Sequence, residues 1–146
     1  MVNLLLHLGG NINKALMHSG KTPLLVAISY GFLELTKFLI SKGASVRAVD
    51  INGLGAMHYA VSSENFEMIG YFVDMGLEVN PRDKNGLTPL LRAVILDLNE
   101  EIIRFLIENG ADPNICDENG FDFYKHQCLN RKEVIVNSSI PKFIFL

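Results

Sequence analysis

Cysteine is scarce in this chain, with only Cys116 and Cys128 among 146 residues. Two are too few for the bridged framework of a small secreted domain, and two reduced thiols in a cytosolic or nuclear protein is the plainer reading. No apolar run approaches the roughly 20 residues that a membrane-crossing helix needs. The opening MVNLLLHLGG carries a short apolar stretch but no basic n-region and no small-x-small cleavage site, so it is not read as a secretory signal. Lys and Arg are dispersed singly and the formal charge is only −3, which leaves no basic stripe to follow a phosphate backbone. The expectation is a cytoplasmic or nuclear protein that binds neither nucleic acid nor membrane.

Catalytic signatures are missing as well. His7, His18, His58 and His126 share no spacing of the H-E-x-x-H kind, and there is no phosphate-cradling or nucleophile-elbow glycine motif. His126, Cys128 and Cys116 offer three ligand types but no C-x-x-C and no fourth partner, so zinc is not expected. Asn137-Ser138-Ser139 matches a glycosylation acceptor, which has meaning only in a secreted chain. No enzyme activity, cofactor or metal is expected. A composition of 49% hydrophobic and 20% charged residues fits a folded domain.

What the chain does contain is internal repetition. Gly20, Gly53 and Gly86 stand 33 residues apart and Gly120 follows after 34. Gly43, Gly76 and Gly110 keep the same spacing, as do Asp50, Asp83 and Asp117, and one inserted residue near Asp97 accounts for every change from 33 to 34. Each unit reads as two helices. Thr22-Pro23 and Thr88-Pro89 are helix starts, because a Thr hydroxyl accepts from the free N–H groups and Pro tolerates the first helical position. A short apolar helix follows, centred on Ala27, Ala60 or Ala93, whose small side chain admits a close neighbour. A second helix has apolar residues at helical spacing, as in Leu35, Phe38 and Leu39, and stops at a glycine suited to positive φ.

These residues carry a resemblance. GKTPLLVA (20–27) with KGASV (42–46), and GLTPLLRA (86–93) with NGADPN (109–114), resemble the ankyrin repeat over about residues 2 to 128. The resemblance implies an all-α solenoid of stacked helix-turn-helix units with hairpin-like loops. Residues 2–136 are expected to form it, as a partial repeat at 2–16, units at 17–49, 50–82 and 83–116, and a degenerate cap at 117–136, followed by a tail at 137–146.

Departures from the pattern carry further expectations. LLLHLGGNIN (4–13) reads as the end of a second helix and its loop, so additional sequence upstream or a partner is expected at that end. Gly55-Ala56 replaces Thr-Pro, which predicts a poorly nucleated helix start and leaves His58 to bond backbone near a loop. The middle repeat should then be the weak link. Glu64-Asn65 predicts a less defined break between helices. In the cap, Asp122 can stand in for Thr, Lys125, Gln127 and Asn130 make the helix polar, and Glu133 to Val136 reads as the start of a short second helix.

In function the resemblance implies a protein-binding module that acts as a monomer through its concave face and hairpin tips. Carried over position by position, the candidate contact residues are Lys21, Tyr30, Val49, Ile51, Asn52, Leu54, Arg82, Lys84, Leu87, Ile95, Leu96 and Phe121. The large apolar members predict an exposed interaction patch, with Tyr30 and Phe121 as anchors; the alternative is that Ile95 and Leu96 turn inward. Other readings are a compact inhibitor of an enzyme, or the repeat segment of a larger enzyme, channel or adaptor. Ankyrin proteins are also substrates of an asparaginyl hydroxylase that prefers Leu eight residues earlier. Leu106 places Asn114 in that pattern and Leu5 places Asn13, whereas Asn80 is preceded by Phe72.

Overall fold

The computed structural model describes residues 10–135. The partial repeat before residue 10 and the tail at 137–146 lie outside them. Seven α-helices and no strand occur among the described residues: α1 Pro23–Ser29, α2 Leu33–Ser41, α3 Ala56–Ser62, α4 Phe66–Asp74, α5 Pro89–Ile95, α6 Glu100–Glu108 and α7 Phe123–Ile135.

Local chemistry sets these boundaries. Thr22 Oγ1 accepts from the Leu25 N–H at 3.3 Å and Thr88 Oγ1 from the Leu91 N–H at 3.2 Å, each with Pro as the first helical residue. Asn65 and Asn99 cap α4 and α6 in the same manner, accepting from Met68 at 3.1 Å and Glu101 at 2.9 Å. Glu34, Glu67, Glu100 and Glu101 sit in the first turns of the second helices, where the free N–H groups favour negative charge.

The first helices form one continuous row, α1 against α3, α3 against α5 and α5 against α7, while α2, α4 and α6 each pack on the first helix of their own unit. The buried alanines Ala27, Ala60 and Ala93 repeat along that row, between Leu24, Leu25 and Ile28, then Met57 and Val61, then Leu90, Leu91 and Val94. The second helices close the core with Leu39, with Met68, Ile69 and Phe72, and with Ile102, Ile103 and Leu106. No unit has a core of its own, so apolar burial is shared across the interfaces between units.

Two expectations are corrected. The turn between α3 and α4 is as defined as its counterparts: Glu64 takes φ 56°, near the 75° of Gly31, and Asn65 Nδ2 donates back to the Gly31 carbonyl at 3.0 Å. The cap holds a single helix, α7, running unbroken to Ile135, so no second helix starts at Glu133. At the start of α3, His58 bonds the backbone as the sequence reading expected, with the partners described below. Other expectations hold. The inserted residue is absorbed between α5 and α6, where four residues replace the three at 30–32 and 63–65, with Asp97 at φ 54°. Asp122 caps α7, its Oδ1 accepting from the Lys125 N–H at 2.9 Å.

Thr36 in α2 is fully buried, and its Oγ1 has no hydrogen-bond partner among the described residues. Its repeat equivalents are the buried Ile69 and Ile103. A hydroxyl in such a place keeps its desolvation cost without a compensating bond. Thr36→Val is isosteric and removes it. The variant is expected to be about 1 kcal/mol more stable in urea denaturation, with an unchanged m-value.

Candidate protein-binding face

The projecting loops are built on three aspartates. Oδ1 of Asp50 accepts from the N–H groups of Asn52 (2.8 Å) and Leu54 (2.9 Å), and Asp83 does the same for Asn85 and Leu87, and Asp117 for Asn119 and Phe121. Each turn closes through Asp N–H to the carbonyl four residues on, at 3.0 Å in all three. The other carboxylate oxygen is used at both ends of the row: the Tyr59 hydroxyl donates to Asp50 Oδ2, and His126 Nε2 lies 2.8 Å from Asp117 Oδ2. Burial works to raise the Asp50 carboxyl, but the Tyr59 hydroxyl, the Leu54 and Asn52 N–H groups and the Lys21 ammonium outweigh it, and the group titrates below its ordinary range. Burial and hydrogen bonding to Asp50 push the Tyr59 phenol up.

Neighbouring loops join through single backbone bonds, Ile51 N–H to Ser19 O (3.1 Å), Lys84 N–H to Asn52 O (2.9 Å) and Glu118 N–H to Asn85 O (2.9 Å). Gly86 makes the last junction possible. It has φ 76°, and a Cβ there would lie 3.0 Å from the Glu118 nitrogen.

His58 links the middle unit to the next. Its ring is buried; Nδ1 accepts from the Gly55 N–H at 3.2 Å, and Nε2 lies 2.9 Å from the Leu87 carbonyl. These roles fix the neutral Nε2–H tautomer, since the carbonyl needs a donor and the N–H an acceptor. Burial pushes its pKa down, against the pull of the Leu87 carbonyl and of Asp83. The side chain three residues into α3 therefore takes over part of the capping that Thr-Pro provides elsewhere, and α3 is as long as α1 and α5.

The expected contact residues divide into two groups. Tyr30 is 71% exposed at the end of α1, and Ile95 and Leu96 are 40% and 47% exposed at the end of α5, so the last two do not turn inward. Val49, Ile51, Asn52, Arg82 and Lys84 are exposed on the loops. Leu54 does not belong with them: at 8% exposure it is part of the core. Its equivalents Lys21, Leu87 and Phe121 are half-buried, so this column lies mainly between loops and Phe121 is no protruding anchor.

The apolar positions are also not one continuous patch. In repeat register, Ser63 stands between Tyr30 and Leu96, and Ser62 between Ser29 and Ile95, with Arg92 Nε donating to Ser62 Oγ at 3.0 Å. Tyr30 stacks on Phe32 with ring centroids 5.9 Å apart. The sequence reading passed over Tyr59, Arg92 and His126, which share the register position of Val26 and line the same side of the first helices. The repeat alignment itself holds the signal that finds them.

Asparagines tie the linkers between units. Asn13 Oδ1 accepts from the Ser45 N–H at 2.8 Å and its Nδ2 lies 3.4 Å from the Gly43 carbonyl. Asn80 repeats this with the Asp112 N–H and Gly110 carbonyl, both at 2.9 Å. Asn114 is exposed, and its carboxamide has no partner among the described residues. Both cysteines are free and exposed. Among the described residues no group of three or more His, Cys, Asp and Glu could hold a metal ion, and no helix is long and apolar enough to cross a membrane.

Comparison with known proteins agrees with this architecture. The family described as Ankyrin repeats (3 copies) matches residues 1–83 and 44–117. The chain is 30% identical to Rabankyrin-5 of Homo sapiens over 128 residues, covering 87% of this chain and 10% of that protein. It is 31% identical over 111 residues to SH3 and multiple ankyrin repeat domains protein 1 of Mus musculus, covering 75% of this chain and 5% of that one. Identity to the Probable 26S proteasome regulatory subunit p28 of Saccharomyces cerevisiae is 28% over 134 residues, covering 91% of this chain and 55% of the relative. The chain thus spans about half or less of the length of these relatives. Repeats of this kind generally mediate protein–protein interaction and are generally non-catalytic. By its repeat motif, its stacked helix pairs and the extent of the family match, this chain belongs to the ankyrin-repeat family.

Proposed function

We propose that this chain is a non-enzymatic recognition module, of the kind a longer intracellular adaptor carries, and that it binds a protein partner across the first-helix face and loop tips. The carrying observation is the pairing of exposed apolar side chains at the two ends of that face, Tyr30 on one side and Ile95 with Leu96 on the other, around the polar Ser62–Arg92 centre. Large exposed apolar side chains are suited to act as interface anchors, a few of which supply most of the binding energy. A Tyr30→Ala, Leu96→Asp double variant is expected to keep the wild-type circular dichroism and melting curve. It should lose at least tenfold in recovery of the proteins that the wild-type chain captures reproducibly from cell extract. A Glu67→Ala control on the second-helix side should recover them all. Equal recovery by the double variant would remove this reading.

Asn114 is the asparagine best placed for hydroxylation. Its carboxamide is exposed and unengaged among the described residues, whereas Asn13 and Asn80 are tied to the following linker, and Leu106 eight residues earlier is buried. Mass spectrometry of chain purified from cells is expected to show a one-oxygen gain on the Asn114 peptide and none on that of Asn80. An unmodified Asn114 peptide would dismiss the assignment.

A further inference from the structure

The series of linker asparagines is interrupted once. Asn13, Asn80 and Asn114 share one position of the unit, and at that position the linker between α2 and α3 has Arg47. At Asn13 and Asn80 the carboxamide bridges a backbone carbonyl and the N–H two residues later, Gly43 with Ser45 and Gly110 with Asp112. The equivalent pair in the linker after α4 is the Gly76 carbonyl and the Glu78 N–H, and neither has a protein partner among the described residues. The same linker has Pro81 where Lys14, Ala48 and Ile115 close a turn through their N–H, so it lacks that bond as well.

A groove of about 560 Å3 opens at this spot, bordered by Val46 to Val49 on one side, Met75 to Glu78 and Pro81 on the other, and Gly55 to Met57 at the start of α3. Gly55 and Ala56, standing where other units carry Thr and Pro, leave that border low. Val49 and Met75 are 56% and 41% exposed, unusual for apolar side chains on a linker and a helix end. Arg47 and Glu78 place opposite charges on facing borders.

We propose that this groove binds a partner segment that presents an asparagine or glutamine carboxamide beside an apolar residue. The carboxamide donates to the Gly76 carbonyl and accepts from the Glu78 N–H, as the chain's own asparagines do one unit away on either side, and the apolar neighbour rests on Val49 and Met75. The donor–acceptor pair selects a planar amide: a carboxylate cannot donate, and an ammonium cannot accept. Val49 makes the groove continuous with the loop row, yet the site stands independently of the reading of the first-helix face.

The probe is the acetylated and amidated hexapeptide LEVNPR, which copies residues 77–82 and hence the carboxamide of Asn80, with an Asn→Ala version for comparison. Nitrogen–proton correlation spectra are expected to show a saturable shift of the Glu78 amide with the Asn peptide, and affinity about tenfold or more weaker for the Ala peptide, the equivalent of two neutral hydrogen bonds. In Arg47→Asn the new side chain takes the pair itself, so the Glu78 amide is moved before any peptide is added and the peptide response disappears. Val49→Glu, an exposed position, should keep the fold and weaken the peptide. No Glu78 response, equal binding of the two peptides, or an undiminished response in Arg47→Asn would overturn the proposal. Self-association seen in wild type but not in Arg47→Asn would assign the groove to a second copy and also overturn it.

Discussion

Phe72→Ala is expected to lower the unfolding free energy by about 3–5 kcal/mol, the range for emptying a buried aromatic site. Phe72 is fully buried in α4, at the centre of the described stack, with Tyr71 against it at 5.5 Å between ring centroids. Domains of this size have only about 5–15 kcal/mol in total, so the change removes a third or more. The location makes the effect worse than its area alone. Each unit is stabilised by its neighbours, and a defect in the middle weakens two interfaces, whereas one at an end weakens a single interface. Denaturation followed by far-ultraviolet circular dichroism should therefore lose its single cooperative transition and broaden. A sharp transition displaced by less than about 1 kcal/mol would show that the interior collapses onto the gap, against this account.

His58→Leu comes next, with an expected loss of about 2–3 kcal/mol from leaving the Gly55 N–H and the Leu87 carbonyl without their partner. Here pH supplies an independent check. The folded-state pKa of His58 lies below its ordinary 6.5. Neutral His58 is the form the fold requires, so its contribution is complete above about pH 6.5. As pH falls below that value the unfolded chain takes up the proton first, and stability declines until the folded-state pKa is passed. Asp50 and Asp117, both held below their ordinary 3.8, add a further decline that begins only near pH 4. The wild-type chain should begin to lose stability as pH falls below about 6.5 in urea titrations, and His58→Leu should lack that decline while keeping the fall below about pH 4. An unchanged slope just below about pH 6.5 in His58→Leu would mean that the ring is not the group responsible.

The sequence exposed the repeat and hence the helices, because a unit that buries its faces only by stacking must restate its core residues at a fixed period. Thr22-Pro23 and Thr88-Pro89 announced helix starts for a local reason, and local reasons survive in a string of letters. His58 bonds backbone as expected, but which backbone was not legible, because one partner, Leu87, is 29 residues away and contributes a main-chain atom that no side-chain pattern records. Leu54 was misplaced because its loop position carries both half-buried and buried side chains in this one chain, Lys21, Leu87 and Phe121 against Leu54, and the repeat register alone does not separate them. Glu64 shows a further limit, since a non-glycine residue at positive φ is uncommon and nothing in the sequence signals it here. On the proposed face, the exposure of Tyr30, Ile95 and Leu96 agrees with their register, while the separation of these apolar side chains into two ends was not readable. Contiguity belongs to the assembled surface.

The four-residue turn between α5 and α6 has a consequence for how such a chain can change over generations. It carries one residue more than the other two turns of its kind, yet the loop bonds of its unit, Lys84 to Asn52 and Glu118 to Asn85, match in length at 2.9 Å. Length variation at that turn is therefore decoupled from the spacing of the loop tips. The two ends of a unit can be edited separately, one by insertion and deletion, the other by substitution. A fluorophore or an affinity tag placed at the exposed Asp97 would exploit the same independence, reporting on the molecule without disturbing the loop row.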